Sequence, residues 1–426
     1  MTALNLIDLQ TGLPPIVPGT APGTTADTGL TAHEHVGFEL GWDYAHYRVA
    51  PPAPYAHEAS PLKNGLLAGQ AAFGLRTLAA TRHVRKWLQL RLNAWLRGRS
   101  VELVQVTPNY LQQIDVSHCP ITRAALSSAP RPAKAGRPPR GSREVTEPHF
   151  LESAPRPAKA GLPPRGSRKV AEPHFLESAT LDASDASIDR VRNDAGYAAG
   201  NLAVMSTKAN HAKGALDRAA ALRCVQQIEA GQLAGLGGLT ADQWRRVATL
   251  CSFVEPLPHD VACALPLHVL PPNRLRLFNP VQALQAFVSQ QLLKPGWSQR
   301  VSRFETLLAG KALRHDFKCF FMALLPRVIE AGRSGEAQHA RWAVEDAWRS
   351  PLVQQQWARF ARQLTPAQCE ALLARAAAKK LGSAVVVPLT EAAATDGWNV
   401  ETRGYVPHAA PVRPARQVSV QASLPL

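Results

Sequence analysis

Two stretches of the chain hold the side chains best suited to chemistry on a phosphodiester: HCPITRAAL at 118–126 and SIDRVRNDAGYAAGNLAVMSTKANHAKG at 187–214. Asp189 is an acidic oxygen donor of the kind that helps to hold a hard divalent cation. Arg190 and Lys213 offer positive charge to a phosphate, and His118 and His211 are the nearby imidazoles that can act as a general base. Ser187–Arg190 reads as a short strand, 191–200 as a loop in which Gly196 and Gly200 can take positive φ, and Leu202–Met205 as a second strand. Ser206 then caps a helix carrying Lys208, Asn210, His211 and Lys213. The expected unit is ββα, with an acid on the first strand facing polar side chains of the helix. That arrangement can grip one metal ion beside a phosphate.

A tandem duplication separates the two stretches. SAPRPAKAGRPPRGSREVTEPHFLE at 128–152 is followed at once by SAPRPAKAGLPPRGSRKVAEPHFLE at 153–177, and the copies differ only at 137/162, 144/169 and 146/171. Each copy has five prolines and almost no core-forming residues, so a disordered Pro/Arg-rich insertion is expected rather than a solenoid. A flexible basic arm or Pro-rich ligand is the functional alternative. Without the copies the spacing from Cys119 to Asp189 falls from 70 positions to 20, and the fragments join into one unit.

The joined residues resemble the HNH endonucleases, in particular phage and bacterial members with a CPxT start, an S-[LI]-D-R strand, a GY…GN turn and an N-x-x-K helix. Here these are Cys119 to Thr122, Ser187 to Arg190, Gly196-Tyr197 with Gly200-Asn201, and Asn210 with Lys213, about 40 of the 426 residues. The resemblance implies an endonuclease that hydrolyses DNA with Mg²⁺ or another divalent cation. It assigns Asp189 as the acidic ligand, Asn201 beside Gly200 as the residue that fixes the turn, and Asn210 as the second ligand. Arg190 stands where the family has its general-base His, and an arginine cannot take a proton from water. It can instead bind the scissile phosphate or stabilise developing charge, leaving His211 or His118 as base. Cys119 has no second Cys pair beside it and reads as a packed thiol. Two alternatives stand beside the nuclease: a non-catalytic nucleic-acid-binding protein that keeps the ββα scaffold, and a helical interaction protein working through 221–385.

The formal charge is +16 with a pI near 10.0. The two repeat copies contribute +2 and +3, which leaves +11 on the rest. Such an excess favours polyanions, DNA first among them. The six cysteines form no CxxC pair and read as reduced thiols. No basic-then-apolar leader opens the chain and no uncharged apolar run reaches the ~18 residues of a membrane span, so a soluble, cytoplasmic protein with no membrane partner is expected.

The elements around the module are expected to be mainly helical. Residues 1–60 read as an irregular segment, in which His33, Glu34, His35, Asp43 and His46 are residue types that could bind a metal but, without HExxH spacing, read as a surface or packed cluster. Residues 61–117 hold a basic amphipathic helix from about Leu66 to Leu96, stopped by Gly98, and a short strand at 101–106. In that helix Val84, Leu88, Leu92 and Trp95 form the apolar stripe, and Arg82, Arg85, Lys86, Gln89 and Arg97 lie largely opposite it. The module takes 118–127 and 178–220, interrupted by the 128–177 insertion. A helical domain over 221–385 follows, with capping boxes at Thr240/Gln243 and Thr365/Gln368, a stop at Gly382, and a helix start at Ser350-Pro351. Residues 386–426 read as an irregular tail.

Overall fold

A computed structural model describes residues 30–127, 185–231, 234–331, 336–382 and 394–400. The repeat insertion, and the disorder expected for it, lie outside the described residues. Within them the chain is mainly helical with one two-stranded sheet. The helices before the module are α1 (Ala32–His46), α2 (Pro61–Phe73), α3 (Arg82–Leu96) and α4 (Pro108–Ile114); the module is β1 (Ala186–Arg190), β2 (Leu202–Ser206) and α5 (Thr207–Lys213). Then follow α6 (Arg218–Glu229), α7 (Ala241–Ser252), α8 (His259–Ala264), α9 (Pro280–Gln291), α10 (Trp297–Glu305), α11 (Lys311–Ala331), α12 (Ala337–Ala347), α13 (Pro351–Ala361) and α14 (Pro366–Ala378).

The N-terminal region corrects the sequence expectation in three places. The His-rich patch is helical, because Thr31 and Glu34 close a capping box that starts α1. Its polar groups then face different neighbours: His33 stacks on Trp95, His35 pairs with Glu39, and Asp43 pairs with the buried Arg91. The helix expected from Leu66 to Leu96 is two helices, since the chain turns at Gly74, whose φ of +53° suits glycine. Residues 101–106 form no strand; Val101 makes an isolated bridge to Tyr197 and Val104 is exposed. In α3 the inward stripe of Val84, Leu88, Leu92 and Trp95 is buried as its spacing predicts, and Gly98 ends the helix at φ +61°.

Helices α1 and α2 approach through Gly41 of the first and Gly65 and Gly69 of the second, while Gly37 makes room for the Trp95 indole of α3. A Cβ at Gly41 would run into the Leu62 carbonyl, and one at Gly65 into the Phe38 carbonyl. Backbone meets backbone here, which only glycine permits.

The long C-terminal region follows its boundary signals. Both capping boxes form, and α13 begins at Pro351. Helix α14 stops at Ala378, ahead of Gly382, with Lys380 in the left-handed region at φ +56°. The expected tail is partly core: Trp398 is fully buried and its indole N–H donates to the Ala199 carbonyl at 3.0 Å. No helix among the described residues is long and apolar enough to cross a membrane.

Two apolar clusters meet at the sheet. One gathers α1, α3 and α4 around Trp87, Leu88 and Tyr110; the other runs through α6 to α14 around Trp244, Phe320, Trp348 and Trp357. Leu202 and Val204 of β2 pack into the first, Ala203 and Met205 into the second, as alternation along a strand requires. The module therefore packs into both apolar clusters.

Gly65→Ala is expected to lower stability by about 1–3 kcal/mol, the range for forcing atoms into a packed contact. A denaturation midpoint unchanged from wild type would show that α1 and α2 can separate freely.

Candidate functional site

The hairpin forms where expected. β1 and β2 are antiparallel, with Ser187 opposite Met205 and Asp189 opposite Ala203, and α5 packs against both strands. Ser206 caps α5, its Oγ accepting the Ala209 N–H at 3.3 Å. The CPIT segment is a tight turn alongside. The Cys119 N–H donates to Ala124 O at 2.9 Å, the Arg123 N–H to Cys119 O at 2.8 Å, and Sγ accepts the Thr122 N–H and the Ser206 hydroxyl. Cys119 is a packed thiol. Ser127 and Asp185 bridge in parallel, so the chain leaves for the insertion and returns from it at one place.

The loop between the strands is held by Asn201. Its side-chain oxygen accepts the Arg192 N–H at 2.8 Å, and its amide donates to Arg192 O at 3.0 Å and Gly196 O at 3.1 Å. One fully buried side chain thus ties both halves of the turn together. Gly200 sits at φ +90° with its N–H donating to the Tyr110 hydroxyl, and a Cβ there would strike the Arg276 side chain. Gly196 does not take the positive φ expected of it; it is glycine because a Cβ would meet Ser100.

The helix meets β1 at two points on one face, since Ser187 and Asp189 are two residues apart. The Asn210 amide donates to the Ser187 hydroxyl at 2.7 Å. The Lys213 ammonium lies 3.0 Å from one Asp189 carboxylate oxygen and 3.3 Å from the other, and also donates to Arg190 O at 3.0 Å. Lys213 is fully buried and Asp189 only 5% exposed. Burial pushes the Asp189 carboxyl above its ordinary range, against the opposing pull of Lys213 and Arg190.

This geometry does not fit a divalent cation between Asp189 and Asn210. Lys213 takes the place in front of the carboxylate, and Asn210 is engaged by its own partner on the strand. Lys213 is a counter-ion inside the fold rather than a phosphate contact. The other expected site residues are dispersed in role. The Arg190 guanidinium donates to Asn193 O at 3.1 Å and Ala195 O at 2.6 Å and lies over the Tyr197 ring, so it braces the loop. His118 pairs with Ser117 Oγ and stands edge-on to Trp342, and His211 is exposed on the last turn of α5. Neither imidazole bonds to Asp189 or Arg190. Among the described residues no group of three His, Cys, Asp or Glu can hold a metal ion.

Several residues that complete the module lie far away in sequence. Tyr110, Arg276 and Trp398 clamp the 191–200 loop from outside. Arg123, in the left-handed region at φ +62°, makes a two-pronged pair with Asp346 at 2.7 and 2.8 Å and reaches the buried Glu345 at 3.3 Å, pinning the CPIT turn to α12. No local pattern marks these partners, because each pairing is made only across the folded chain.

A cavity of about 150 Å³ opens between α6 and α7, lined by Leu222, Val225, Ala248 and Leu265 together with Arg218, Arg245 and His268. Burial, reinforced by Arg245 and Arg349, pushes the His268 imidazole down to about 4. A depressed histidine contributes stability that is complete above its unfolded value of 6.5 and is lost as pH falls toward 4. The melting temperature is therefore expected to drop across that window, and less steeply in His268→Gln. Identical slopes would refute the assignment.

Removing one partner of the buried ion pair leaves the other uncompensated, so Lys213→Met should cost about 3–5 kcal/mol in a denaturant titration. Combined with Asp189→Leu, the loss should be smaller than the two single losses added. Strict additivity would mean that the two charges do not interact.

No family model, no curated protein and no solved structure matches this chain, so its own residues are the ground for any functional interpretation.

Proposed function

We propose that the chain is a nucleic-acid-binding protein built on an HNH-like ββα scaffold that does not cut. The observation that carries this is the Asp189–Lys213 ion pair. The acid that the resemblance makes a cation ligand is neutralised from within by a buried ammonium. The adjacent position holds an arginine whose guanidinium is spent on loop carbonyls. Without a cation position and without a base beside it, water activation has no agent at this hairpin. The order of the elements and the Asn201 bonds across the turn support the HNH-like ancestry of the scaffold. The nucleic-acid partner is supported by a net charge of +16, which favours phosphate neutralisation with counterion release.

The purified full chain, incubated with plasmid DNA and either Mg²⁺ or Mn²⁺, should nick no faster than Asp189→Asn, while binding DNA with an affinity that falls steeply as salt rises. Metal-dependent cleavage abolished in Asp189→Asn would overturn the non-catalytic assignment. Absent or salt-insensitive binding would overturn the nucleic-acid assignment.

A further inference from the structure

The positive charge is unevenly placed. From Tyr44 to Val101 the chain has nine Lys or Arg and a single acidic residue, Glu58, so this stretch holds a net +8 of the total +16. Three of these cations are accounted for inside the fold. Arg91 is buried against Asp43, and Arg82 joins His83 and Lys86 around Asp115. Four arginines are different. Arg48, Arg76, Arg85 and Arg97 are exposed, and their side chains make no hydrogen bond or ion pair with the described residues.

Arg85 and the C-cap Arg97 lie on the outer side of α3, and Arg48 and Arg76 on turns that border the helix. Arg82, Arg85 and Gln89 are the exposed positions of α3, opposite the buried stripe of Val84, Leu88, Leu92 and Trp95, and Arg97 is its exposed C-cap. The Leu78 N–H donates to the His46 carbonyl at 2.9 Å, and Tyr47 packs edge-on to Trp87 of α3. Those contacts bring the turns bearing Arg48 and Arg76 beside α3. From Arg82 to Arg97 the stripe is about 22 Å long, at 1.5 Å of rise per residue.

The placement also opposes local electrostatics. The first turns of α3 carry Arg82, His83, Arg85 and Lys86 and no acid, at the helix end whose dipole is itself positive. Asp115 is the carboxylate that offsets them, and the Arg85 and Arg97 side chains have no carboxylate partner among the described residues. An outside polyanion would relieve this repulsion.

We infer that the outer face of α3, with Arg48 and Arg76 on the adjoining turns, docks the phosphate backbone of duplex DNA without reading its sequence. Single strands are gripped by stacking bases on exposed aromatic rings. The exposed large apolar side chains of this region are Leu67, Leu75, Leu78 and Val104, none of them aromatic. The inference rests on the nucleic-acid assignment above and adds the location and the form of the ligand.

The test compares two full-length triple variants with the same change in net charge, binding a short random-sequence duplex across a salt series. R76E/R85E/R97E should weaken binding by about tenfold or more and reduce the slope of log affinity against log salt by about 2–3, close to one unit per lost phosphate contact. R223E/R327E/R362E changes exposed arginines on α6, α11 and the end of α13 and should stay within about twofold of wild type, since steering by net charge alone is diffuse. R76Q/R85Q/R97Q, without charge reversal, should lose affinity in the same direction with an unchanged melting temperature. If wild type binds and the two Glu triples weaken equally, or the first binds like wild type, the α3 surface is wrong while nucleic-acid binding stands. Tighter binding of a single strand than of the duplex would overturn the duplex assignment, and failure of wild type to bind either would remove both inferences.

Discussion

Strand β2 is buried on both faces, and the rest of the molecule is arranged around that constraint. A two-stranded hairpin cannot hold itself together in water, because it has too few neighbours to bury its apolar side chains. Here Leu202 and Val204 enter the N-terminal cluster while Ala203 and Met205 enter the C-terminal one. The hairpin is thus the seam between two helical regions that otherwise share little. Helices that precede it by a hundred residues and helices that follow it by as many are joined through five residues of extended chain.

Burial of the seam dictates how its polar groups are treated. An isolated carboxylate in such a place would be costly, so Asp189 is met by Lys213 and the turn's backbone groups by Asn201 and Arg190. The same residue types that can serve phosphodiester chemistry when open to solvent serve neutralisation when enclosed. Position in the fold, rather than identity, separates a catalytic acid from one half of an internal ion pair. Unpaired positive charge accordingly lies elsewhere, as at Arg85 of α3 and its C-cap Arg97, whose side chains meet no carboxylate among the described residues.

The insertion is tolerated for a related reason. Ser127 and Asp185 lie side by side, so added length between them closes a loop whose ends are already fixed. Closure entropy grows only slowly with loop length, and neither the CPIT turn nor β1 needs to move to accommodate it. Arg123 further holds the CPIT turn through Asp346 and Glu345 of α12.

Local sequence determined the elements whose causes are local. The strand, turn, strand and capped helix between Ser187 and Lys213 follow from alternation, Gly200 and the Ser206 cap, and the C-terminal helices from their capping boxes and apolar spacing. The side chains opposite one another across β1 and α5 were likewise readable as a set of polar residues on facing elements. Tertiary structure alone decided what that set does. Whether Asp189 faces a cation, water or Lys213 depends on how α5 is rotated against the strand and on how much solvent the flanking helices exclude. The residues that fix the loop between the strands, Tyr110, Arg276 and Trp398, likewise lie at distances along the chain that no periodicity spans. The close approach of α1 and α2 through Gly41, Gly65 and Gly69 and the burial of Trp398 beyond the last helix have no local signature for the same reason. Spacing along a chain reports which face a side chain takes on its own element, whereas the partner on that face is set by packing between elements remote in sequence.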